Sequence, residues 1–165
     1  MDYKEFTNIF KKQVFALTYQ KQLEFALTIC QRLYFDYQNF YDHYKWGNPE
    51  LLMDAIRMSE ESKNAPLHKT KIEALINSVE AITPDTDEYG DEVGSCALNA
   101  CVSVLHSLGF LLTKDPLDIF YIGIAFYDTC DFKLPGKEVL SEEQRDNHAL
   151  IQEAKRYLIQ QTERW

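Results

Sequence analysis

Asp85, Asp87, Glu88, Asp91 and Glu92 crowd one short loop, PDTDEYGDEVGSC, at residues 84–96. Oxygen donors around a glycine are the chemistry of a calcium site, and the EF-hand supplies the test. Counting from Asp85, Asp87 and Gly90 fall where that loop needs an oxygen ligand and its turn glycine. Tyr89, Val93 and Cys96 stand where it needs further oxygen ligands, the last a bidentate glutamate. Calcium is therefore not the expectation. Helix-end electrostatics accounts for the same charges, because unpaired N–H groups and the positive dipole end favour each acid by about 0.3–1 kcal/mol. Asp91 is the expected N-cap, with Gly90 or Gly94 supplying backbone freedom.

The apolar run that follows carries one polar stripe: Ser95, Asn99, Ser103, His106 and Ser107. At about 100° per residue, Ser95, Asn99 and His106 fall within roughly 40° of one another on a helix. A histidine that titrates near neutrality could make this a polar pocket, with Asp87 or Asp91 reaching in from the loop. The stripe reads more simply as a solvent edge or a set of satisfied buried hydrogen bonds, since no carboxylate accompanies His106 at helical spacing.

A third constellation is YFDYQNFYDHYKW, residues 34–46. Tyr34, Tyr37, Tyr41 and Tyr44 lie within about 80° on a helix. Tyrosine joins apolar area to a polar tip, so the stripe suits a half-wet groove or an interface. Ordinary core packing predicts the same spacing. Interleaved Asp36 and Asp42 argue against a base-stacking platform for nucleic acid.

Other chemistries fail on spacing. Cys30, Cys96, Cys101 and Cys130 make no CxxC pair, and no glutamate lies three residues before any histidine. Metal-binding HExxH, phosphate-binding glycine loops and the GxSxG nucleophile motif are absent, so no cofactor is implied. Cys101 and His106 sit about 140° apart on one helix and cannot form a nucleophile–base pair there.

These residues need helices to position them. Phe6, Ile9, Phe10, Val14 and Leu17 predict a first helix over 4–17. A second runs from near Lys21 to Tyr44, closed by Gly47. Asn48–Pro49 caps a third that buries Leu51, Leu52, Ala55 and Ile56. Pro66 opens a fourth, with Leu67, Ile72, Leu75, Ile76, Val79 and Ile82 as its stripe. The fifth, 92–113, is apolar nearly all round and should be central. Asp115–Pro116 starts a sixth over 116–131, whose IFYIGIAFY core also fits a buried strand; the cap and the length favour helix. LPGK is a turn. Ser141 with Gln144 reads as a capping box, and Asn147 as a second cap before a last helix bearing Leu150, Ile151, Ala154, Tyr157 and Leu158. The expected fold is all-α, a single-domain bundle of about seven helices.

The chain has 165 residues, 17 basic and 26 acidic, for a net charge of −9. That length suits one domain. Phosphate binding works by replacing counterions with Lys and Arg, so an acidic chain without a basic stripe is not expected on nucleic acid or on anionic membrane. MDYKEFTNIF has no signal-peptide pattern, and the longest uninterrupted apolar run is too short to span a bilayer. Four thiols without export point to the cytoplasm.

Several segments together resemble the YjaG-like family of uncharacterised bacterial proteins. They are QRLYFDYQNFY with Arg32, Leu33 and Tyr37, then PDTDEYG, ALNACVSVL and SEEQRDNHALIQEA. The resemblance implies an all-α fold and no established activity. Where it implies aspartate in an Asp-Ala-Cys stretch, this chain has Asn99, which cannot act as a base. Where it implies proline after the late asparagine, the chain has His148. The reading leans away from an enzyme. It favours an interaction module that meets a protein partner or a second copy of itself, and the alternative is a small-molecule site between helices around Asn99 and His106.

Overall fold

Most of the helices begin where a short polar side chain can satisfy the free N–H groups of a first turn. A computed structural model describes residues 1–163. Asp2 accepts from Glu5 N at 2.8 Å to open α1, Tyr3–Ala16, and Thr18 accepts from Lys21 N to open α2, Tyr19–Tyr44. Asn48 accepts from Leu51 N and Pro49 follows it at the start of α3, Pro49–Glu61. Asp91 opens α5, Glu92–Thr113, and Asp115 with Pro116 opens α6, Pro116–Phe132. The IFYIGIAFY stretch lies wholly inside α6, which resolves the strand alternative in favour of helix.

Other starts differ from the sequence reading. Pro66 and Leu67 precede α4, Lys69–Ala81; Leu67 is 42% exposed, and Ile72 and Val79 carry the buried face. Ile9, 36% exposed, sits off the buried face of α1 that Phe6, Phe10 and Val14 form. Lys45, not Gly47, caps α2 in the left-handed region at φ 54°. The capping box of Ser141 and Gln144 is present, and it opens a separate short helix, α7, Glu142–Asp146. The described residues thus form eight α-helices rather than about seven, with one 3-10 turn at Lys137–Val139 and no strand. Asn147 ends α7 instead of starting α8, Ala149–Glu163. The capping acceptor there is His148 Nδ1, which takes Leu150 N–H at 3.2 Å.

α5 is the central helix, packed chiefly against α2 and α6, with α3 and α4 along its remaining sides. By length and composition α5 is the one helix among the described residues apolar enough to cross a membrane, and over half of that stretch is buried in the protein. Counting only unbroken apolar runs misses it, because Asn99, Ser103 and His106 interrupt the run without lowering its mean much. α1 packs on α6 and α8. Its fit to α6 is close: a Cβ on Gly123 would collide with the Phe10 ring. Lys155 of α8, fully buried, pairs with Asp146 and donates to Met1 O at 2.9 Å.

Candidate functional site

The acidic loop folds around two of its own aspartates. Asp85 Oδ1 accepts from Asp87 N at 2.9 Å, and its carbonyl accepts from Tyr89 N at 2.7 Å. Asp87 itself is exposed. Asp91 Oδ1 accepts from Gly94 N at 2.8 Å as the N-cap of α5, and its other oxygen accepts the Tyr44 hydroxyl. Those two bonds, the tyrosine's first, hold the Asp91 carboxyl below its usual range, and the shared bond raises the Tyr44 phenol above its own. Gly90 and Gly94 do not have positive φ. Their role is space: a side chain on Gly94 would strike the Tyr89 carbonyl, and one on Gly90 would lie 2.6 Å from Thr86 O.

The polar stripe of α5 is used mainly for helix–helix bonding. Asn99 Nδ2 donates to Thr129 Oγ1 on α6 at 3.2 Å, and Ser107 Oγ donates to Ser59 Oγ on α3 at 3.2 Å. Ser103, fully buried, bonds back to Ala100 O. His106 lies about 22 Å from Asp91 along the axis, at about 1.5 Å per residue. Asp87, Asp91, Asn99 and His106 therefore do not converge on one pocket.

His106 has a carboxylate partner that helical spacing did not reveal. Asp118 Oδ1 lies 2.8 Å from its Nδ1, and Thr113 Oγ1 donates to Asp118 Oδ2 at 3.3 Å. The turn at Lys114–Asp115 folds α6 back on α5, so the first turn of α6 meets the last two turns of α5. The Asp115–Pro116 cap marked that turn in the sequence, and the pairing follows from it. With Nδ1 engaged, Nε2 is the ring nitrogen left for a ligand. The Tyr121 ring stacks on the imidazole at 5.4 Å.

The four thiols sit where burial disfavours their thiolate forms. Burial pushes Cys30, Cys96 and Cys101 up to about 12, and raises Cys130 as well. At neutral pH all four are protonated and unpaired. Among the described residues no group of three or more His, Cys, Asp or Glu is placed to hold a metal ion.

The tyrosine stripe splits. Tyr37 is fully buried; its hydroxyl donates to Ile82 O at 2.7 Å and accepts from Asn48 N at 3.2 Å, tying α2 to the end of α4 and the start of α3. It also fills the space above Gly47, at φ 97°, where a Cβ would collide with it. Tyr44 packs its ring on Phe40 and Tyr89. Tyr34, buried, and Tyr41, 37% exposed, border an open cleft of about 550 Å³ with Met53 and Arg57. Half the stripe is core, and the four rings do not form one surface.

A family profile described as "Protein of unknown function (DUF416)" matches residues 9–162. No curated protein matches the sequence. Among solved structures, the crystal structure of a DUF416 family protein from Shewanella baltica OS155 superposes with a TM-score of 0.77 at 22% identity, covering 94% of this chain and 84% of that one. At that identity the likeness is one of fold.

Proposed function

This chain belongs to the DUF416 family of proteins of unknown function, and we propose that it acts there as a cytoplasmic interaction module that pairs with a second copy of itself. Within the family we group it with the YjaG-like proteins, on the segments QRLYFDYQNFY, PDTDEYG and ALNACVSVL. Four unpaired thiols support a reducing compartment.

One observation carries the pairing. A strip of half-exposed rings crosses α1, α6 and α5. Phe15 is 45% exposed, and Lys11 Nζ lies 5.7 Å from its ring and 5.8 Å from that of Phe120. Phe120 meets Tyr121, 46% exposed, which stacks on His106. Lys11 lies on the strip between Phe15 and Phe120, and the strip's other end is the Asp118 carboxylate beside His106. A two-fold axis laying one copy's Lys11 on the other's Asp118 makes such a surface self-complementary. Light scattering on eluting protein across a wide concentration range tests this. The expected result is a dimer that Phe15→Ser with Tyr121→Ser returns to monomer. A wild-type chain that stays monomeric throughout, or a double variant that associates like wild type, refutes it.

The His106–Asp118 pair supports a second reading, a small-molecule site at Nε2. A fragment screen read on the His106 ring resonances tests that, and a screen in which no fragment moves them refutes it.

A further inference from the structure

Beyond that reading, the opposite ends of α1 and α6 border a cleft of about 630 Å³, within the range of roughly 300–1,000 Å³ typical of ligand sites. Tyr3, Tyr127, Asp128, Asp131, Arg145 and Asp146 are among its lining. The decisive residue is Tyr127. It is only 8% exposed, wedged against Phe6 at 5.6 Å and Tyr3 at 5.2 Å, yet its hydroxyl has no hydrogen-bond partner among the described residues. The ring is buried but its oxygen still reaches the cleft, because the one fully buried side-chain polar atom without a partner among the described residues is Arg145 Nε; the phenol oxygen is therefore left for whatever enters the cleft. Burial and the fields of Asp146, Asp131 and Asp128 keep the phenol protonated.

The carboxylates around it are unequally satisfied. Asp146 is matched by Lys155 and by Tyr3 N at 3.1 Å. Asp131 meets Arg145 only at 3.5 Å, and the buried Nε of Arg145 has no partner among the described residues. Asp128 is half-buried and takes part in none of the ion pairs among the described residues, and burial with the nearby Asp131 raises its carboxyl above the usual range. Glu142 and Glu143 add negative charge at the rim. The lining thus holds one cation against five carboxylates, beside two tyrosine rings. Since no three of these acids are placed to share a metal ion, the space they surround suits a molecule.

We propose that this cleft binds an organic cation bearing a primary ammonium group, held by the Tyr127 hydroxyl oxygen and the carboxylates of Asp128 and Asp131, with the Tyr3 ring as its wall. Ammonium supplies three donors for these acceptors, and the face of the Tyr3 ring adds a cation–π attraction. The group can come from a free amine or from a lysine side chain, and the two probes below separate those sources.

Calorimetric titration of the full chain with putrescine, and separately with a short lysine peptide blocked at both ends, tests the proposal. Saturable binding by either probe is expected, and the tighter one identifies the source. Asp128→Asn should weaken it about tenfold, the loss expected for one charge-assisted contact. Tyr127→Phe should weaken it less, and Glu80→Gln, on exposed α4, not at all. Asp128→Asn removes an unpaired charge, so its thermal melt should not fall, and lost binding in it reports the site. Absence of saturable binding by both probes overturns the proposal. So does equal weakening by Asp128→Asn and Glu80→Gln, which would mark general charge attraction.

Discussion

Removing one oxygen, by Tyr37→Phe, should cost this fold more than any other single-atom change on α2. The hydroxyl bridges Ile82 O and Asn48 N, and its ring is fully buried. Each bond contributes about 0.5–1.5 kcal/mol net, and the half-buried groups left behind lose partners that water only partly replaces. The expected loss is about 2–3 kcal/mol, a fall in Tm of roughly 4–12 °C for a chain this size. Circular dichroism melts and urea titrations measure both. Tyr41→Phe, on the exposed side of α2, is the control and should change nothing. A second substitution isolates the steric part. Gly47→Ala places a methyl group against the Tyr37 hydroxyl and strains a backbone at φ 97°. In the Tyr37→Phe background the worst of the collision, that with the hydroxyl, is removed and the strain remains. The double variant's loss should therefore fall about 1 kcal/mol short of the sum of the single losses. If Tyr37→Phe costs no more than Tyr41→Phe, or if Gly47→Ala costs the same in both backgrounds, the bridging role is refuted.

Lys155→Met should destabilise by about 3–5 kcal/mol, because it strands the partly buried Asp146 carboxylate; adding Asp146→Asn should recover much of that in the same urea titration. Gly123→Ala drives a methyl group into the Phe10 ring, and a loss of about 1–3 kcal/mol is expected by melting, eased when Phe10→Leu is added. Asp91→Ala removes the α5 cap, with an expected loss of about 1 kcal/mol at neutral pH. The Asp91 carboxyl is lowered in the fold, so its contribution is complete above the unfolded value of about 4 and disappears as pH falls through the folded one. Urea midpoints of wild type and variant should converge in that acid window; a gap that persists below it refutes the assignment.

Local features are legible in the sequence because their physics is local. Asn48–Pro49, Asp115–Pro116 and Ser141–Gln144 each state a helix start within four residues, and each stands where the sequence puts it. Asp91 as a cap follows from the same logic. The misses are contacts between helices, which periodicity on one helix cannot address. His106 meets Asp118 across a turn, and Tyr37 reaches forty-five residues ahead to Ile82. Tyr34 to Tyr44 share a face by spacing, but α2 is flanked by α3 and α5, so that face passes from core to solvent along its length. Gly90 and Gly94 suggest conformational freedom in the sequence, whereas the tight approach of the Thr86 and Tyr89 carbonyls is what excludes a side chain.

The pairing of α1 with α8 has a consequence for the order of events during synthesis. Gln13 meets Thr162 and Glu163, and Met1 O meets Lys155, across separations of about 150 residues. At about 5–20 residues per second, α1 waits on the ribosome for roughly 7–30 seconds before its last partner emerges. For most of that interval Phe6 and Phe10 also lack α6, which carries Phe120, Gly123 and Tyr127 against them. α1 is thus made early and secured late, so a chaperone holding the nascent chain would find its handle there.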